Sequence, residues 1–175
     1  MKILLLVVIS IVGLLALLIG VAAAIGSQLP VSHTATRSIV IRKSSEEVYK
    51  VIHDVGDAPS WRPDVKSVDL LGTPGGKLNY REHGSQGDVT YELDEDIANQ
   101  RMVTRIVDRD LGYSGSWTFV LTPENGGTRV AITEKGEVSN LMFRFMSRYV
   151  FGHTATIDGY LNALAKHFEE TPKLE

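Results

Sequence analysis

The chain has 175 residues, 43% of them hydrophobic and 22% charged, and no cysteine. Its 18 basic and 21 acidic side chains leave a net charge of −3, which argues against a nucleic-acid partner. The length suits one ordinary domain, and without cysteine there is no disulfide framework, thiolate metal site or cysteine nucleophile.

Apolar residues concentrate at the amino terminus. Ile3 to Ile25 contains no charge and a single polar side chain, Ser10. As a helix rising about 1.5 Å per residue it reaches roughly 35 Å, enough to cross a bilayer core of about 30 Å. Residues 3–25 are therefore read as a single-pass membrane anchor. The competing reading is a secretory signal cleaved near Ala22-Ala23-Ala24, although the apolar run exceeds the usual 7–15 residues. The short amino-terminal tail with Lys2 favours N-inside, which places the domain outside the cytoplasm, while Arg37, Arg42 and Lys43 pull the other way. Residues 26–33 (GSQLPVSH) read as a flexible linker reaching roughly 15 Å. The folded domain is expected over residues 34–170, with a tail at 171–175. Lys2 is the only charge before Arg37, so that domain has 17 basic against 21 acidic groups.

Thr34 to Arg42 is β-branched and alternating, a strand. Ser44 and Glu47 fit a capping box, and Val48, Val51, Ile52 and Val55 recur at helical spacing after it. Pro59 and Pro63 end that helix. Strands follow at Val65–Leu71, Lys77–His83, Val89–Asp96 and Met102–Val107, then one carrying Trp117, Phe119 and Leu121 on one face, then Thr128–Lys135. Turns fall at Thr73-Pro74-Gly75-Gly76, Asn99-Gln100 and Asn125-Gly126-Gly127. Such short connections imply an antiparallel sheet. From Asn140 to about Glu170 the period turns helical, with Leu141, Phe145, Tyr149, His153, Ile157, Tyr160, Leu161, Leu164 and Phe168 forming a stripe, and Gly152 and Gly159 inviting a bend.

SIVIRKSSEEVYKVIHD, the Trp61-Arg62-Pro63 segment, GSWTFVLTPENGGTRVAITEKGEV and the closing helix together resemble the SRPBCC superfamily, the START and Bet v 1-like helix-grip group with polyketide cyclase and dehydrase-like members. The resemblance covers about residues 34–170. It implies an α+β fold in which a curved antiparallel sheet of about seven strands grips a long carboxy-terminal helix over an apolar cavity. It also implies binding of lipids or other hydrophobic molecules, with enzymes as a minority. An amino-terminal membrane helix is an addition to that pattern.

By alternation, Tyr91, Leu93, Trp117, Phe119, Val130 and Ile132 face the long helix, which offers Met142, Met146, Tyr149 and Ile157. With Tyr80 these make the candidate ligand contacts Tyr80, Tyr91, Leu93, Trp117, Phe119, Met142, Met146, Tyr149 and Ile157. Tyr80, Tyr91 and Trp117 lead, because each combines apolar area with a polar handle. Each of these side chains can equally be ordinary core. Trp61 is expected to close one end. The five histidines (33, 53, 83, 153, 167) lack metal-ligand spacing, and Asp94-Glu95-Asp96 cannot converge on one ion from a strand. His83 and His153 are the candidate general bases, although no nucleophile, base and orienting group assemble; no cofactor or metal is expected. Residues 140–152 are apolar nearly all round except Arg144 and Arg148, and read as a rim touching lipid, with both arginines reaching headgroups, or as a dimer contact or buried helix. The favoured function is a membrane-anchored binding or transfer module for a hydrophobic small molecule or lipid. The alternatives are a cyclase, dehydratase or hydrolase-like enzyme in the same cavity, or a protein-interaction module.

Overall fold

A computed structural model describes residues 2–85, 87–124 and 126–175. The first helix, α1 (Lys2–Gln28), takes in the whole charge-free run. It continues past Ile25, so part of the expected linker is helical. Only Leu29, Pro30 and Val31 separate α1 from strand β1 (Ser32–Ile41), and this segment is pinned. Arg144 Nη1 donates to the Leu29 carbonyl at 3.0 Å, and the Val138 amide donates to the Val31 carbonyl at 2.8 Å. A connection whose carbonyls are held in this way is not a free tether.

Helix α2 (Ser45–His53) begins with the expected capping box, in which Ser44 and Glu47 satisfy each other's backbone amides. After a turn at Val55–Asp57 comes the four-residue α3 (Ala58–Trp61), with Pro59 in its first turn where no amide donor is needed. Strands β2 (Val65–Gly72), β3 (Asn79–Gly84), β4 (Gly87–Ile97), β5 (Arg101–Ile106), β6 (Tyr113–Glu124) and β7 (Gly127–Val138) follow as a meander. With β1 they make one curved antiparallel sheet in the order β1-β7-β6-β5-β4-β3-β2. Asn99 takes φ 63° between β4 and β5, as an Asn at a tight turn can. The Asn125 position of the expected hairpin lies outside the described residues.

The carboxy-terminal segment is divided. Helix α4 (Leu141–Met146), capped by Asn140 on the Phe143 amide, runs into a π turn at Ser147–Phe151, and then α5 (Ala155–His167) begins. Gly152, at φ 79°, makes the break; Gly159 sits inside α5 without one. This division redirects the stripe. Ile157, Tyr160, Leu161 and Leu164 of α5 are buried, whereas Leu141 and Tyr149 before the break are exposed. Helix α5 packs over the sheet face bearing Ile39, Ile41, Phe119, Leu121, Val130 and Ile132, with Val48 and Ile52 of α2 closing the same core. The last residue also belongs to the fold: Glu175 exchanges backbone hydrogen bonds with Ser38, at 2.9 and 3.0 Å, along the β1 edge.

Candidate functional site

Beyond the core, the sheet and α5 enclose a small cavity. Tyr80 and Glu82 alternate with exposed Arg81 on β3, so both turn inward. Tyr91 stands opposite Tyr80 in the β3–β4 register, and their rings stack at 5.3 Å. The same register logic brings Thr104 beside Trp117 and Met102 beside Phe119 on β5 and β6. From the helical side come Tyr160 of α5 and, around α3, Ala58, Trp61 and Arg62. Tyr160 is the hub. Its ring meets Trp61 edge-on at 5.2 Å, Phe119 at 5.5 Å and Trp117 at 5.7 Å. Burial pushes the Tyr80, Tyr91 and Tyr160 hydroxyls well above the ordinary phenol range, with the Glu82 charge adding to it at each, so all three are neutral hydrogen-bonding groups.

Among the polar lining side chains, Arg62 and Glu82 form a charged pair. Arg62 binds Glu82 through both terminal nitrogens, at 2.6 and 3.1 Å, and also reaches Asp64 at 2.7 Å. Its guanidinium lies 5.1 Å from the centre of the Tyr160 ring. Burial works against the Arg62 charge, but the adjacent Glu82 charge and the Asp64 hydrogen bond outweigh it and raise its pKa. The Arg62 Nε and Trp61 Nε1 donors are buried without a protein partner among the described residues.

The cavity measures about 60 Å³, room for a few waters. Pockets that take drug-sized ligands hold roughly 300–1,000 Å³. A hollow is thus present between the sheet and α5 with only part of the expected lining, and it is contracted in size, because Tyr160, Trp61, Trp117 and the Tyr80–Tyr91 stack fill most of it.

Of the sequence-derived contacts, Tyr80, Tyr91, Trp117 and Phe119 converge on this cavity. Leu93 packs against the core beside it, and Ile157 is wholly buried core. Met142, Met146 and Tyr149 sit on α4 and the π turn, away from the cavity walls, because the break at Gly152 turns that segment aside. Trp61, expected to close one end of the core, lines the cavity edge-on against Tyr160. Sequence reasoning missed Arg62, Glu82 and Tyr160 as site residues, although the signals were there. Glu82 lies two residues from Tyr80 on one strand face, and Arg62 sits between Trp61 and Pro63.

The histidines lie elsewhere. His83 bridges Asp69 and Asp88 at 2.9 Å each. His153 stacks on His33 at 4.4 Å, and His33 in turn contacts Glu134 at 3.1 Å. None of the five lines the cavity. Of the acidic run, Asp94 is held by Lys77 and Arg105, Glu95 by Arg101, and Asp96 by Tyr49 and His53. Arg144 points to the Leu29 and Ser139 carbonyls rather than outward.

Residues 32–169 match the family model described as polyketide cyclase/dehydrase and lipid transport. No curated protein matches the chain. Among solved structures, it is similar to a START superfamily protein from Mycobacterium smegmatis, at 17% identity and TM-score 0.64, covering 78% of this chain and 97% of that one. It is also similar to the Zhui aromatase/cyclase from Streptomyces sp. R1128, at 13% identity and TM-score 0.61, covering 79% and 94%. A third, truncated norcoclaurine synthase from Thalictrum flavum, shares 13% identity with TM-score 0.63 over 81% and 96%. At such identities these structures speak for the fold alone. The family match spans nearly the whole folded part, and the strand order, the gripping α5 and the cavity beneath it agree with that match: the chain belongs to the polyketide cyclase/dehydrase and lipid transport family of the SRPBCC superfamily.

Proposed function

We propose that this protein is a membrane-held binding module for a hydrophobic small molecule or lipid. The apolar part of the ligand lies against Tyr80, Tyr91, Trp117 and Phe119, and an acceptor oxygen meets Arg62 and Trp61. The observation that carries this reading is the pair of buried donors, Arg62 Nε and Trp61 Nε1, on residues that line a cavity rich in aromatic side chains. A buried donor left without an acceptor costs roughly 1–3 kcal/mol, which a ligand oxygen would recover. The family's lipid transport description and the apolar α1 support it further. A ligand larger than a few waters requires the cavity walls to part, since the cavity holds only about 60 Å³. With α1 as the anchor and Lys2 on the cytoplasmic side of it, the domain faces away from the cytoplasm.

Trp61 and Trp117 are the only tryptophans and both line the cavity, so they report on it directly. Full-length protein is isolated in lipid nanodiscs, extracted with solvent and analysed by mass spectrometry beside Thr104→Phe, which fills the cavity. An apolar compound enriched in the wild type and depleted in the variant, whose readdition alters tryptophan emission, supports the reading. Identical extracts and unresponsive emission refute it.

The small size of the cavity favours a second reading, a protein-interaction module in which it is vestigial. The free β2 edge, with Leu70 and Leu71 exposed, then offers a place for a partner strand. That reading predicts loss of a membrane partner on Leu70→Lys and none on Thr104→Phe.

A further inference from the structure

The end of α1 and the start of α4 form one close contact. Every residue of α1 from Lys2 to Val21 is exposed. Exposure drops at Ala22, Ala23 and Gly26 of α1 and at Leu29 just beyond it, and there α1 packs against α4. Gly26 is required there, because a Cβ at this position would overlap the Leu141 carbonyl. Arg144 of α4 then fixes the exit of the helix by its bond to the Leu29 carbonyl. The position of α4 along α1 is therefore set by the backbone.

That position has a physical meaning if α1 spans a bilayer. About twenty helical residues cross the hydrocarbon core. Counted from Ile3, the first residue after Lys2, the core ends near Ala22, where α4 is seated. Leu141, Phe143, Tyr149 and Val150 are exposed on α4 and the π turn, Tyr149 and Val150 at 60% and 57%. Exposed Arg148 accompanies them. Between Ser139 and Ile157 there are two arginines and no acidic residue, in a chain of net charge −3. A segment with aromatic, aliphatic and basic residues and no acidic one of its own matches the headgroup–acyl boundary of a membrane containing anionic lipid.

We propose that α4 and the following π turn lie in the bilayer interface, docked on the last turns of α1, with Tyr149 and Val150 among the acyl-chain ends and Arg148 at the phosphates. This rests on α1 being a membrane span. The lipid contact is thus a rigid mounting, which fixes the orientation of the whole domain against the membrane.

The absence of native cysteine makes single-cysteine labelling clean. Nitroxides are placed on full-length Val150→Cys, Tyr149→Cys, Ile9→Cys and Leu70→Cys, reconstituted in phosphatidylcholine vesicles with a quarter phosphatidylglycerol. Power-saturation EPR then compares accessibility to oxygen with accessibility to a water-soluble nickel complex. The expected result is a core-like ratio at position 9, a water-like ratio at position 70, and oxygen-to-nickel ratios several-fold above position 70 at both 149 and 150. Water-like ratios at 149 and 150 with a core-like ratio at 9 overturn the interfacial contact and leave the span standing. A water-like ratio at position 9 overturns the span and the contact with it. Shielding of 149 and 150 from both reagents, with spin–spin broadening, overturns the lipid contact in favour of a second copy covering this face.

Discussion

The Arg62–Glu82 pair gives the sharpest test of the site. In Glu82→Ala, Arg62 loses two charge-assisted hydrogen bonds, of 2.6 and 3.1 Å, while its side chain stays 13% exposed. Breaking a buried pair by removing one partner costs about 3–5 kcal/mol. Asp64 remains at 2.7 Å, but it is 55% exposed and compensates weakly. We expect a net loss of about 2–3 kcal/mol, which for a chain of this size lowers Tm by roughly 5–10 °C. Thermal unfolding of the full-length protein, followed by circular dichroism, measures it. Asp64→Asn should cost under about 1 kcal/mol. The double variant Arg62→Leu/Glu82→Leu should recover most of the loss, since two apolar side chains leave no buried charge unpaired. A Glu82→Ala loss below about 1 kcal/mol, or a double variant no better than Glu82→Ala, would refute the view that the pair is buried and mutually dependent.

Ile157 of α5 is fully buried in the main core, so Ile157→Ala should cost about 2–5 kcal/mol in denaturant unfolding; a loss under about 1 kcal/mol would mean α5 is not gripped as described. His83 donates hydrogen bonds to the Asp69 carboxylate and then to that of Asp88, and these raise its pKa above the ordinary 6.5. Its contribution is therefore complete below about pH 6.5 and fades as pH rises through the elevated folded value. The Tm gap between wild type and His83→Gln should accordingly be larger at about pH 5.5 than at about pH 8.5, and a gap independent of pH contradicts this.

The order of elements and the antiparallel sheet could be read in the residues because both rest on local signals. Alternation along β4 and β6, the Ser44–Glu47 capping box and short turns between strands each act within a few positions. The same alternation placed Tyr91, Trp117 and Phe119 on the inner face, where they line the cavity with Tyr80. The charge-free run of α1 was equally plain, since helix length and composition are properties of the segment itself.

Other features required residues distant in sequence to come together. Arg62 and Glu82 are a pair only because α3 packs against β2, the neighbour of β3, and neither side chain signals burial when considered singly. Helical periodicity continued through Gly152, so Met142, Met146 and Tyr149 seemed to face the sheet from the same long helix as Ile157; a single glycine at positive φ turned them elsewhere. The size of the hollow depended on how five aromatic rings interlock around Tyr160, a matter of packing rather than pattern. So too did the fixed seat of α4 on Gly26, where two backbones more than a hundred residues apart meet through the lack of one side chain.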